Sequence, residues 1–185
     1  MAHGWPTPWH NILWAPWRML YIEKAAGGSG GGCVFCVAPG LDDEEALIIY
    51  RGRKSYVILN KFPYNTGHVM VVPYRHVPSL VDLDSEELAE IGMLVKASLI
   101  ALQDVYKPHG FNVGVNIGEA AGAGIAGHVH VHVVPRWRGD ANFMMTVGGT
   151  KVLPESLEDT YKKLKPALAR AVRMVEESGE AGRDS

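Results

Sequence analysis

His128-Val129-His130-Val131-His132-Val133-Val134 is the stretch around which this 185-residue chain organises itself. In an extended strand, residues two apart point to the same face. The spacing therefore sets three imidazoles on one side and Val129, Val131 and Val133 on the other. The chain holds eight histidines. At that frequency an H-x-H-x-H run arises by chance in only about one or two of every hundred sequences. A row of imidazoles can accept, donate or relay protons near neutral pH, and clustered titratable groups point to sites. The run is internal and flanked by a strand pattern, unlike a terminal purification tag. A catalytic row, a metal site made from all three rings and a strand that merely tolerates histidine all stand open here.

Working outward, residues 46–50 and 56–60 read as short strands joined by a turn at Arg51-Gly52-Arg53-Lys54. Residues 68–74, 111–117 and 128–134 are three more strand-like runs. Between them, Asp84 or Ser85 can cap a helix with Glu86 and Glu87 in its first turn. It extends to Tyr106 with Leu88, Ile91, Leu94, Val95, Leu99 and Leu102 on one stripe, and Pro108 and Gly110 stop it. A last helix spans 154–177, with a frayed tail over 178–185. This predicts an α+β fold: an antiparallel sheet of about five strands with one long central helix and a C-terminal helix. Three zones follow: a Trp-, Pro- and Gly-rich arm over 1–32, a domain over 33–150, and the C-terminal helix with its tail over 151–185. The arm carries Trp5, Trp9, Trp14 and Trp17. It is expected to lie across an apolar surface, because four exposed indoles would make a sticky patch.

Eighteen basic and 20 acidic residues leave a net charge of −2. That gives no basic field for coating nucleic acid, though a small phosphorylated ligand is compatible with it. No apolar run approaches the roughly 20 residues needed to span a bilayer, and the start has no apolar signal-peptide core. No membrane partner and a cytoplasmic location are expected. Both cysteines sit in Cys33-Val34-Phe35-Cys36, a spacing that two random cysteines would show about once in ninety chains. Zinc half-site, redox dithiol and disulfide are the readings. A cytoplasmic chain argues against a structural disulfide. The pattern lacks the thioredoxin-like βαβ context of a redox motif, and zinc needs two more ligands. The loop over 116–127 holds Gly118, Gly122, Gly124 and Gly127, so backbone N–H groups there can approach phosphates closely.

The triad motif resembles that of the histidine triad superfamily of nucleotide hydrolases and transferases. The likeness covers 33–142: Leu59-Asn60-Lys61, Thr66-Gly67-His68-Val69, Val72-Pro73-Tyr74-Arg75-His76 and Val133-Val134-Pro135-Arg136 also match. Gly139-Asp140-Ala141-Asn142-Phe143 and Leu13-Trp14-Ala15-Pro16-Trp17-Arg18 resemble a bacterial subgroup that includes diadenosine tetraphosphate phosphorylases. The resemblance implies an enzyme that cleaves a nucleotide phosphoanhydride at the α-phosphorus, through a covalent nucleotidyl-histidine. It implies His130 as nucleophile, His132 at the phosphate or leaving-group oxygen, and His128 as an architectural group held by a hydrogen bond or a metal.

The likeness further assigns Asn60 to the ribose. It sets His68 near the nucleotide, although packing at a strand start explains His68 equally well. Asn116 would orient phosphoryl oxygens, and Gly122 and Gly124 would belong to a phosphate cradle. It completes a structural zinc site of Cys33, Cys36, His76 and His128, with no organic cofactor. An adenine nucleotide such as diadenosine tetraphosphate is the implied substrate, and a homodimer the implied assembly. Many relatives carry Ser, Thr or Gln where this chain has Gly124, which leaves the acceptor, water or phosphate, open. A nucleoside phosphoramidate hydrolase and a non-enzymatic nucleotide-binding protein are the alternatives.

Overall fold

The computed structural model describes residues 32–181. The tryptophan-rich segment and residues 182–185 lie outside the described residues, as do the expectations made for them. In chain order the elements are α1 (Val34–Val37), α2 (Asp43–Ala46), β1 (Ile48–Arg51), β2 (Ser55–Leu59), β3 (Val69–Pro73), α3 (Ser85–Tyr106), β4 (Gly110–Val115), β5 (Val131–Arg136), α4 (Phe143–Thr146) and α5 (Leu157–Ala181). The five strands form one sheet in the order β1-β2-β3-β5-β4, and every neighbouring pair is antiparallel.

Alternation along the central strands divides the interior in two. Val57, Leu59, Val69, Val71, Val131 and Val133 face α3 and α5, and belong to the main core. Tyr56, Ile58, Met70 and Val72 face the other way and pack with Phe35, Ala38 and Ile48. Both faces of β2 and β3 are thus apolar, which is why these runs read as almost continuous hydrophobic stretches. α5 contributes Tyr161, Leu164, Leu168, Ala171, Val172 and Val175 at helical spacing. It begins and ends later than predicted from sequence, at Leu157 and Ala181.

The start of α3 is a reciprocal capping box: Asp84 accepts from the Glu87 backbone N–H, and Glu87 accepts from that of Asp84. The predicted stripe needs one correction. Leu88 is exposed, while Glu87 is buried. The reason is Arg75, whose guanidinium grips the Glu87 carboxylate through two bonds of 2.8 and 2.7 Å. Between β1 and β2, a Cβ on Gly52 would stand 2.7 Å from the Ser55 carbonyl oxygen, so this turn requires glycine.

The triad strand also begins later than predicted. β5 starts at Val131, and His128 to His130 precede its ladder. Their backbone is satisfied elsewhere: Val129 N–H donates to Val77 O at 2.7 Å, and His128 N–H to Ile125 O at 3.3 Å. Side-chain alternation persists through this stretch, since Val129, Val131 and Val133 all lie in the main core.

Candidate active site and metal cluster

His130 and His132 project from the sheet face opposite the long helices, with ring centroids 4.7 Å apart. His130 is buried and its Nδ1 lies 2.9 Å from the His128 carbonyl. A carbonyl only accepts, so Nδ1 carries the proton and the neutral ring keeps its lone pair on Nε2. Burial pushes the His130 pKa below the ordinary histidine value, which favours this neutral, nucleophilic form.

A second chain of bonds orders His132. Tyr64 N–H donates to His68 Nδ1 at 3.1 Å, and the Asn60 amide nitrogen lies 3.3 Å from the same atom. His68 must therefore hold its proton on Nε2, which points at His132 Nδ1 over 3.0 Å. With its Nδ1 accepting, His132 carries its own proton on Nε2. The two rings are thus complementary: one offers a lone pair, the other an N–H. His132 also faces Gly114 across the sheet, where open space replaces a side chain.

His68 is 1% exposed, and its pKa is pushed down to about 3, first by burial and then by His132 and His130. The ordinary value is about 6.5, so between the two the unfolded chain binds a proton that the folded chain refuses. Stability is complete above about pH 6.5 and falls as pH drops toward 3, with one such proton giving about 1.4 kcal/mol per pH unit. His68→Gln should flatten the stability–pH slope by about that amount between pH 6 and 5. Urea unfolding at the two pH values checks it; parallel slopes would show that His68 ionises freely.

His128 turns away from this pair. Its Nε2–H donates to Pro73 O at 2.8 Å, which leaves the Nδ1 lone pair facing Cys33, Cys36 and His76. His128 Nδ1 stands 3.4 Å from Cys33 Sγ, 3.6 Å from Cys36 Sγ and 3.2 Å from His76 Nδ1, and Cys36 Sγ stands 3.3 Å from His76 Nδ1. All four ligand atoms lie within 4.8 Å of one another. Tetrahedral zinc, with bonds of roughly 2.0–2.3 Å, needs ligand atoms about 3.3–3.8 Å apart. The donor set and the four separations of 3.2–3.6 Å fit a metal ion of this class. Both cysteines are free thiols. Phe35, inside the Cys-x-x-Cys turn, packs its ring 5.5 Å from His128 and 4.8 Å from His130, so it bridges the cluster and the catalytic-type pair.

The remaining predicted residues are less tightly drawn in. Asn60 Oδ1 accepts from Phe62 N–H at 2.9 Å, which fixes the amide's orientation at the end of β2. Asn116 follows β4, and Gly122 and Gly124 are exposed in the loop before the triad. Gly122 adopts φ +82°, a conformation that suits glycine. Gly127, from the same loop, lies against His76: a Cβ there would meet His76 Nε2 at 3.3 Å.

Sequence reasoning missed Tyr64, Asn65, Arg136 and Asp140 as a group. The Asp140 carboxylate accepts from Arg136 at 2.6 and 2.9 Å, from Asn65 at 2.7 Å and from the Trp137 backbone at 3.3 Å. These donors, Arg136 above all, hold its carboxyl well below the usual range. The Val-Val-Pro-Arg and Gly-Asp-Ala-Asn motifs carried Arg136 and Asp140 but not their pairing.

A helix-backed antiparallel sheet that brings two tautomer-matched histidines beside a Cys₂His₂ cluster has the architecture of the histidine triad proteins. The chain belongs to that family: the HIT domain matches residues 42–139. It is 46% identical over 164 residues to the AP-4-A phosphorylase of Mycobacterium tuberculosis, covering 85% of this chain and 84% of the relative. A bis(5'-nucleosyl)-tetraphosphatase (asymmetrical) of Schizosaccharomyces pombe is 36% identical over 93 residues, half of each chain. Among solved structures, a Zn-bound histidine triad family protein from Mycobacterium smegmatis superimposes with a TM-score of 0.61 at 29% identity, covering 75% of this chain and 94% of that one.

Proposed function

We propose that this protein is an enzyme that splits a dinucleoside polyphosphate, diadenosine tetraphosphate in the first instance, at the α-phosphorus through a covalent nucleotidyl-His130 intermediate. The observation that carries it is the pairing of an Nε2 lone pair on His130 with an Nε2–H on His132, each set by its partner at Nδ1. His130 Nε2 forms a bond to the α-phosphorus as the bond to the leaving oxygen breaks, and the His132 Nε2–H hydrogen-bonds that oxygen as its charge grows. An acceptor then attacks the same phosphorus as the bond to His130 Nε2 breaks, which frees His130, and the acceptor's proton passes to solvent. Asn60 meets the ribose with the lone pair and N–H it has left, Asn116 the transferring oxygens, and the loop at Gly122 and Gly124 the phosphates. The naming of the Mycobacterium tuberculosis relative supports the substrate and a phosphorolytic outcome.

The metal cluster is read as structural zinc. Its ligand atoms face away from the reacting pair, and it ties Cys33 and Cys36 to His76 and His128. When bound, zinc supplies a cross-link and a fixed His128 rather than a Lewis acid. The same reading includes a homodimer, supported by the exposed Val113 on the open edge strand β4, and a cytoplasmic setting, which suits paired thiolate ligands.

Incubation with diadenosine tetraphosphate, with and without inorganic phosphate, tests the function. ADP plus ATP only when phosphate is present marks a phosphorylase; AMP plus ATP in water marks a hydrolase. Turnover of AMP-amidates with none of dinucleotides would move the substrate to the phosphoramidates, and no turnover of either would sink the enzymatic reading.

A further inference from the structure

Past His132, the face of β5 that carries the triad continues with Val134 and Arg136. A cavity of about 200 Å³ opens there, bounded by Tyr64, Asn112, Val134, Arg136, Asp140 and Lys151. It is smaller than the 300 Å³ or so at which whole-ligand pockets begin, so its size suits one part of a ligand. It starts about 7 Å along the strand from His132, one side-chain step on the same face, and the Tyr64 ring spans the gap, 5.8 Å from the His132 ring.

The charges in this cavity are unequal. Arg136 and Asp140 neutralise each other through their two-bond ion pair, and Arg136 also donates to Asn112 Oδ1 at 2.6 Å. Lys151 makes no ion pair among the described residues. Its ammonium donates to the Asp140 backbone carbonyl at 3.1 Å, which leaves two N–H donors and a full positive charge. The lining is thus net positive by one charge. Lys151 and Met145, another lining residue, both lie beyond residue 139, where the match to the family domain stops.

We propose that this cavity is a phosphate subsite in which Lys151 holds the acceptor phosphate, so that phosphate rather than water resolves the nucleotidyl-His130 intermediate. The inference rests on the function proposed above. In a double displacement, His130 attacks opposite the leaving oxygen, and the acceptor then enters from the side that the leaving group vacated. That side adjoins the His132 Nε2–H, and the cavity begins one step beyond it. The phosphate oxygen bonds to the α-phosphorus, the bond to His130 Nε2 breaks, and the acceptor's proton goes to solvent. Gly124 supplies no side-chain donor before the triad, so the recognition of an anionic acceptor falls to another element. The same phosphate chemistry exists in the polyphosphate tail of the substrate, and the kinetics separate the two sources.

Initial rates would be measured over ranges of inorganic phosphate and of diadenosine tetraphosphate for the full chain, Lys151→Ala, Lys151→Arg and Lys96→Ala, an exposed helical control. Loss of one charged donor should raise KM for phosphate about tenfold or more. The kcat at saturating phosphate should stay within about threefold, as for uniform binding lost, and Lys151→Arg should restore most of the affinity. A rise confined to KM for the dinucleotide keeps the subsite and assigns it to the substrate's own phosphates. Equal constants in Lys151→Ala and Lys96→Ala would overturn it. If the unaltered protein turns over no dinucleotide, the proposed function fails and calorimetric titration with tripolyphosphate decides the subsite. Binding lost in Lys151→Ala upholds it; binding that is unchanged, or absent from both, refutes it.

Discussion

His130→Ala should lower turnover of diadenosine tetraphosphate by at least about 10⁴-fold, the scale on which an essential nucleophile fails. AMP affinity, measured by calorimetry, should change less than about threefold, because a bond that forms only during reaction adds little to ground-state binding. The size of the loss follows from the absence of a substitute. His132 already accepts a hydrogen bond from His68 at Nδ1 and carries its proton on Nε2, so it has no lone pair to offer. His68 is buried beneath it and bonded at both nitrogens. His128 donates to Pro73 and faces the cysteines with its other nitrogen. Of the four rings, His130 alone leaves Nε2 open to phosphorus. Brief reaction followed by mass analysis should find a nucleotidyl adduct on the unaltered protein and none on the variant. Retention of more than about one part in a hundred of the activity would remove His130 from the role.

Purified protein should contain close to one zinc per chain, lost in Cys33→Ser with a fall in melting temperature of about 10 °C or more. The cluster joins Cys33 to His128 across 95 positions and Cys36 to His76 across 40, so it closes two long loops at once. Structural zinc sites contribute folding free energy directly. A loss of a few kcal/mol in a domain of this size moves the midpoint by about 2–4 °C per kcal/mol. The cluster also shapes the site through the chain: His128, held at Nδ1, presents the carbonyl that orients His130. Chelated protein kept well below its new midpoint should therefore retain activity within about tenfold, as expected when a supporting group rather than a reacting one is disturbed. Metal analysis and calorimetry give the answer. A metal-free protein with two reduced thiols and an unchanged midpoint would remove the zinc, and loss of activity at all temperatures on chelation would make the metal catalytic.

Local pattern was enough for much of the architecture. Period-two alternation around Val129, Val131 and Val133 set one face of the triad stretch into the core. Period 3.6 marked the helix over Ser85–Tyr106, and Asp84 or Ser85 followed by Glu86 and Glu87 marked its start. Such signals are written by neighbours in sequence, so a sequence carries them whole. Boundaries depended on distant partners. The expected strand at 128 begins at Val131 because Val129 gives its N–H to Val77, and Glu87 displaced Leu88 from the buried stripe because Arg75 reaches it.

The same division runs through the site. His128, His130 and His132 were legible as one motif, and Cys33 with Cys36 as another. Which nitrogen of each ring carries a proton was decided only by tertiary contacts: Tyr64 and Asn60 on His68, His68 on His132, Pro73 on His128. Lys151 could not be assigned a ligand from sequence, because the cavity beside it exists only where Tyr64, Asn112, Val134 and the Arg136–Asp140 pair converge. Residue type and spacing determined what chemistry this chain could hold. The pairing of groups tens of residues apart decided where lone pairs, protons and one unpaired charge are aimed, since a hydrogen bond has a direction that no linear spacing records.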